Sequence, residues 1–174
     1  MNNFEIRRVT PREADQLQDI GRQTFAETFS SVNSEENMKE YLNNRFSVEK
    51  LTAELSDENS EFYFALLDAK VVGYLKINLG QAQTEIRDEN SLEIERIYVL
   101  KDYHGMKIGQ KLFEKAMEIS QQKNVEYVWL GVWERNFRAL QFYRKNGFTE
   151  FDTHIFKLGN AEQTDLLMKI QVKK

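Results

Sequence analysis

An α/β fold built on a mixed sheet of six to seven strands is what this sequence predicts, and three observations carry it. Two β-rich runs, 61–67 and 71–79, flank a turn at Asp68-Ala69-Lys70 and read as an antiparallel hairpin. From Ser91 onward strands and helices alternate, which calls for crossover helices and a mixed sheet. Between the strand 92–99 and the helix that follows lies a glycine-containing loop, His104-Gly105-Met106-Lys107-Ile108-Gly109. A strand feeding such a loop aims the free N–H groups of a helix start outward from the sheet.

The elements follow in order. Residues 4–9 alternate apolar and polar and read as a first strand. Thr10 caps a helix with Pro11 at its first position, and Ala14, Leu17, Ile20, Phe25 and Phe29 keep helical spacing. Asn33 and Glu36 form a capping-box pattern for a second short helix through Leu42. Ser47 is expected to cap a third, with Leu51 and Leu55 on one face. The stretch 80–90 is polar and reads as a loop. Beyond it come a strand over 92–99, a helix over 109–123, a strand over 127–132, a helix over 137–146, a strand over 148–156 and a closing strand over 164–170. No repeat, low-complexity tract or linker interrupts the chain, and its single proline marks no boundary, so one domain spanning 1–174 is expected.

Composition narrows the function. Hydrophobic residues make up 41% and charged residues 30%, which excludes disorder. A net charge of -4 argues against nucleic acid, and the basic pairs Arg7-Arg8 and Lys173-Lys174 are too short to form a patch. There is no cysteine, which removes disulfides, zinc–thiolate clusters and thiol catalysis together. His104 and His154 have no carboxylate at metal-ligand spacing, so no metal is expected. Residues 1–8 lack the apolar core of a signal peptide, and the longest apolar run, 127–133, falls far short of the roughly 20 residues of a membrane helix. The expected location is the cytoplasm.

Three groups of residues carry chemistry. Free N–H groups and the dipole of the helix after the 104–109 loop converge on one anion-binding spot. The loop has neither the Gly-Lys-Ser/Thr ending of a P-loop nor the three glycines of a dinucleotide fingerprint, so the ligand is another pyrophosphate. Asn136 and Tyr143 recur at helical spacing and share a face, with Gly147 as the stop; Phe142 and Tyr143 read equally well as core aromatics. On the strand 92–99, positions 93, 95, 97 and 99 are expected on one face and 92, 94, 96 and 98 on the other. Two buried carboxylates on one face are costly, so Glu93 and Glu95 border either a wet cleft or a solvated face. Trp129 and Trp133 read as core packing.

The order of these motifs over 91–148 resembles the GNAT superfamily of acetyl-CoA-dependent N-acetyltransferases. The stretches 33–38, 91–98, 129–134 and 162–166 are further similar to the PaiA-type bacterial spermidine/spermine acetyltransferases, so the likeness covers nearly the whole chain. It implies a mostly antiparallel sheet with a splayed central parallel pair and helices on both faces. It also implies transfer of acetyl from acetyl-CoA to a primary amine, a polyamine first, by direct attack. Backbone groups of Ile97, Tyr98 and Val99 would hold the pantetheine arm like an added strand. N–H groups of His104, Gly105, Met106, Lys107, Ile108, Gly109 and Gln110 would wrap the pyrophosphate. Asn136 and Lys145 would contact the cofactor, and Tyr143 would sit by the sulfur as the acid. Glu95, or Glu93 through water, would be the base, and Glu35 and Glu36 would hold the far ammonium groups of the acceptor. The loop departs from the family pattern in having His104 where Gln or Arg is usual and Lys107 where Gly is usual.

An amine with a pKa near 10 must lose a proton before it attacks, which is why a carboxylate is wanted; a strand N–H such as that of Ile97 would polarise the carbonyl oxygen. Two other activities fit the same resemblance: acetylation of protein or peptide amines, which wants an open, less acidic groove, and a non-catalytic acyl-CoA-binding regulator, which could dispense with Tyr143 and Glu95. The expected partner is a small-molecule amine, with no nucleic acid and no membrane, and with a homodimer left open.

Overall fold

The computed structural model describes residues 3–173. Met1 and Asn2 of the amino-terminal stretch and Lys174 of the basic pair 173–174 lie outside them. Seven strands form one sheet: β1 (Phe4–Arg8), β2 (Ser60–Leu67), β3 (Lys70–Leu79), β4 (Ser91–Val99), β5 (Tyr127–Trp133), β6 (Thr149–Leu158) and β7 (Ala161–Gln171). Their spatial order is β1-β2-β3-β4-β5-β7-β6. Every neighbouring pair is antiparallel except β4 and β5, which are parallel, as the crossover helices between consecutive parallel strands require.

Five helices cover the two faces: α1 (Ala14–Phe29), α2 (Glu35–Arg45), α3 (Val48–Leu55), α4 (Ile108–Gln122) and α5 (Phe137–Lys145). Each buries an apolar stripe. Leu112, Phe113, Ala116 and Leu140 from α4 and α5 pack with Ile77, Leu92, Ile94 and Leu130 on one face of the sheet. Leu17, Phe25, Met38 and Leu51 from α1 to α3 pack with Phe62, Phe64 and Tyr74 on the other. No helix among the described residues is long and apolar enough to cross a membrane.

Two local expectations are corrected. Ser34, not Asn33, caps α2, its Oγ accepting from the Asn37 N–H at 3.1 Å. Asn33 instead donates its side-chain amide to the Phe29 carbonyl and closes the end of α1. The last hairpin is longer at its tip than the pattern suggests, with β6 running to Leu158 and β7 starting at Ala161 around Gly159, whose φ is 62°.

The larger correction concerns β4. Lys76 pairs with Arg96 and Ile77 with Ile94, so Glu95 has no partner on β3 and forms a bulge. One extra residue inverts the alternation downstream of it. Ile94, Ile97 and Val99 therefore pack on the α4 side, while Tyr98 packs on the α1 side and Arg96 lies over the Phe46 ring. The bulge also twists β4, and its pairing with β5 ends after Ser91–Tyr127, Leu92–Val128 and Glu93–Trp129.

Gly73 on β3 fixes how closely the bulged strand is held. A Cβ there would stand 2.7 Å from the Tyr98 carbonyl oxygen, a backbone atom with no freedom to swing aside. Gly73→Ala is expected to cost about 1–3 kcal/mol in urea unfolding, the usual range for overpacking.

Candidate active site

Where β4 and β5 part lies a cleft of about 1370 Å³, lined by residues from both faces of the sheet. Of the residues singled out from the sequence, Glu93, Glu95, Ile97, Tyr98, Val99, His104, Gly105, Lys107, Ile108, Gly109, Gln110, Asn136, Tyr143 and Lys145 all line it. Met106 does not; it is exposed on the outer side of the loop.

On the α4 side the cleft ends at an open helix start. Ser34, Ser47 and Asn136 cap α2, α3 and α5 with their side chains, whereas no side chain caps α4. Its first N–H groups have no intrahelical partner by geometry and lie at the cleft. Lys107 turns the chain into α4 with φ 63°, a left-handed conformation that costs a non-glycine residue about 1–2 kcal/mol. A Cβ at Gly109 would meet only Val99 Cγ2, at 4.0 Å, so the space above the helix start is free. Lys107, Arg138 and Lys145 line this end. The His104 ring is held by Nε2 against the Val99 carbonyl at 2.8 Å, which ties the loop to the end of β4.

Asn136 spends its Oδ1 on the Ala139 N–H, leaving its amide hydrogens for other partners. Tyr143 is buried between Phe142 and Phe148, and burial raises its pKa above the ordinary tyrosine value. Burial alone shifts its hydroxyl, with no hydrogen bond contributing, and the side chain lines the cleft.

The other side of the cleft is rich in carboxylates, and the two on β4 differ sharply. Glu93 is 3% exposed and accepts from Asn78 Nδ2 at 3.0 Å, the Thr84 N–H at 2.8 Å and Thr84 Oγ1 at 2.6 Å. Burial, and after it the charge of Glu95, raise its pKa above the usual carboxylate range despite these bonds. Burial pushes Glu95 the same way, but the charges of Arg96 and Lys76 outweigh it and hold Glu95 at about 2. Lys76 Nζ lies 2.7 Å and Arg96 Nη2 3.1 Å from its oxygens.

Asp165 on β7 and Glu85 after β3 also line the cleft. Burial raises the pKa of Asp165 as well. Glu85 lies 3.0 Å from His154 Nδ1 on β6. Glu35 and Glu36 do not reach the cleft. They occupy the exposed first turn of α2, where carboxylates complement the helix dipole, while Tyr41 and Arg45 of the same helix line the cleft in their place. The acidic residues that do line it come from segments distant in sequence. The stretch 80–90 is held by Gln83, which is buried: its Oε1 accepts from Trp129 Nε1 at 2.7 Å and Ser91 Oγ at 2.8 Å. That anchor brings Thr84 onto Glu93. A buried Trp in a strand that needs a hydrogen-bond acceptor was the available signal.

Residues 19–148 match the acetyltransferase (GNAT) family. An N-acetyltransferase of Lactobacillus delbrueckii subsp. lactis, named as uncharacterised and by its place in the pepI 3′ region, is 41% identical over 97% of this chain and 98% of its own. The spermidine N(1)-acetyltransferase of Thermoplasma acidophilum is 28% identical over 87% of this chain and 91% of its own. Among solved structures, the PaiA N-acetyltransferase from Thermoplasma acidophilum in complex with coenzyme A is similar with a TM-score of 0.81 and 26% identity, covering 97% of this chain and 99% of that one.

The depressed pKa of Glu95 has a consequence for stability. A carboxylate that is more acidic folded than unfolded stabilises the fold above its unfolded value, and that contribution is lost as pH falls toward the folded one. The window runs from 4.5 down to about 2. Urea unfolding across it should show a loss in the native protein that is shallower in Glu95→Gln.

Proposed function

The chain belongs to the acetyltransferase (GNAT) family, which makes it an acetyl-CoA-dependent N-acetyltransferase, and we propose that its acceptor is a polyamine such as spermidine or spermine. The observation that carries this reading is a pair of carboxylates on the cleft wall, Glu93 buried and Asp165 partly buried. Among the described residues neither makes an ion pair, and burial holds both above the usual carboxylate range. Buried carboxylates without a cation are costly, and an ammonium entering the cleft relieves that cost. Glu85 at the rim adds a third acceptor for a second ammonium group. The spermidine acetyltransferase relative and the PaiA neighbour support the same acceptor class.

The donor side fits acetyl-CoA by its own chemistry. The uncapped start of α4, the space over Gly109 and the cations Lys107, Arg138 and Lys145 suit a pyrophosphate. Acetyl-CoA supplies the thioester-bound acetyl group. Glu93 takes the proton of the attacking amine, directly or through a water, because its raised pKa leaves it able to hold one. Glu95, committed to two cations, has too little proton affinity for that task. The N–H of Ile97 is the donor toward the carbonyl oxygen, and Tyr143, kept protonated by burial, is the donor toward the departing sulfur. Backbone groups of Ile97 and Val99 offer the pantetheine arm an edge to lie on, with the Val99 carbonyl already shared by His104.

Tyr143→Phe should leave coenzyme A binding by calorimetry unchanged and lower kcat by about ten- to a thousandfold, the loss expected when one proton donor is removed. Full activity would reduce Tyr143 to packing.

Neutralising the acceptor wall with Glu85→Gln and Asp165→Asn should raise KM for spermidine by about tenfold more than it lowers kcat, since these groups bind ground and transition states alike. Glu35→Gln and Glu36→Gln should change neither. Raising salt to about 0.5 M should weaken spermidine binding as screening shortens. A monoamine or a peptide amine turned over better than spermidine, with no salt effect, would replace the polyamine by another amine acceptor.

A further inference from the structure

A network of charges runs from the cleft wall, at Glu95 and Arg96, to Lys76 and Glu54 behind it, and the acetyl transfer described above does not use it. Lys76 Nζ on β3, 5% exposed as a residue, contacts Glu54 Oε1 of α3 at 2.6 Å and Glu95 Oε1 at 2.7 Å. Arg96 closes the group, with Nη2 3.1 Å from Glu95 Oε2 and Nη1 3.6 Å from Glu54 Oε1. Glu54, Glu95, Lys76 and Arg96 cancel as two charges of each sign. Glu93 is the fifth charge, and no group in the network offsets it.

One neutral side chain joins Glu93 to the four. Asn78 Nδ2 donates to Glu95 Oε1 at 2.8 Å and to Glu93 Oε1 at 3.0 Å. The orientation of this amide follows from its other end, because Ser60 Oγ donates to Asn78 Oδ1 at 2.8 Å. With Oδ1 so engaged, both amide hydrogens face the two carboxylates. Glu93 is thus held between Asn78 on β3 and Thr84 in the segment anchored by Gln83. Its carboxylate position depends on where Glu95 holds the shared amide.

We propose that Glu95 is a positioning residue for Glu93: a fixed negative charge, anchored by Lys76 and Arg96, that shares the Asn78 amide with Glu93 and sets both its place and the field around it. This rests on the reading of Glu93 as the proton acceptor. The charged and titratable groups around Glu93 are Glu95, which acts on it directly, Lys76 and Arg96 bound to Glu95 with Glu54 behind them, and Glu85, Asp165 and His154, which line the same cleft. Of these, Glu95 is joined to Glu93 through a single side chain. Its charge favours the protonated form of Glu93, and it is itself kept ionised by two cations, so it acts as a constant rather than as a second titrating site.

The test is a carboxyl-carbon NMR titration of the free protein labelled at glutamate, with Glu93 assigned through Glu93→Gln. Glu95→Gln keeps an oxygen for Lys76 and Asn78 but removes the charge, leaving Lys76 and Arg96 against Glu54 alone. The Glu93 midpoint should fall by about one pH unit or more, since a like charge has been lost and a cation left in excess. The acidic limb of kcat/KM against pH should move down with it. Glu54→Gln alters the same balance from α3 without touching the cleft and should move the midpoint the same way by less, which keeps the test in hand if Glu95→Gln does not fold. An unmoved midpoint in either folded variant overturns the proposal, because a purely structural Glu95 would change stability alone. A midpoint that falls while the kcat/KM limb stays put overturns instead the assignment of Glu93 as base, so the two failures are told apart.

Discussion

β4 and β5 share a ladder only three residues long, and the rest of the molecule's chemistry depends on where that ladder ends. Three residues of parallel pairing span about 10 Å, after which the facing edges of two interior strands run on without each other. Unpaired backbone groups inside a protein are costly, so a sheet opened at its centre needs a reason and a complement. The reason is the bulge at Glu95, which twists β4 away from β5 while Gly73 still lets β3 approach the far side closely. On the proposed reading, the complement for such an edge is the amide-bearing arm of acetyl-CoA, entering beside the uncapped start of α4.

The bulge does a second thing that a regular strand could not. It brings Arg96 to the side of Glu93 and Glu95, where a regular strand would have placed it on the opposite face. Two carboxylates so close would repel and compete for protons, but their surroundings separate them: one is tied to two cations, the other to an amide and a threonine. Buried ion pairs contribute little net stability compared with apolar packing of equal volume. What this network fixes is a difference between two chemically identical groups that share a single amide nitrogen.

Much of this was legible in the residues. The hairpin, the alternation after Ser91, the loop before α4 and the helical register of Asn136 and Tyr143 are local patterns, and local patterns survive folding. What failed was non-local. The alternation read along 92–99 assumed a regular strand, and nothing within those residues announces a bulge that is defined by the partner strand. Asn33 lost its capping role to Ser34 because the end of α1 needed an acceptor satisfied and Asn33 was within reach. Glu35 and Glu36 suit a helix start as well as a ligand, and the helix start is where they are used. The carboxylates that line the cleft, Glu85 and Asp165, sit in a polar loop and at a hairpin strand, and only the sheet order brings them together. Gln83 shows the same limit: its hydrogen bonds to Trp129 and Ser91 link two segments 46 and 8 residues away.

The two sides of the cleft are drawn from different parts of the chain. On the proposed reading, side chains toward the donor come from the end of β4, α4 and α5, and those toward the acceptor come from the 80–90 segment, α2 and the β6–β7 hairpin. Only the splayed pair of strands is common to both. Substitutions in the hairpin or the 80–90 segment can therefore reshape what enters from one face without disturbing the helix start on the other. Under that reading the architecture separates the part of the enzyme free to drift between acceptors from the part that is not, and descendants of one ancestor could diverge in substrate while keeping an unaltered donor half.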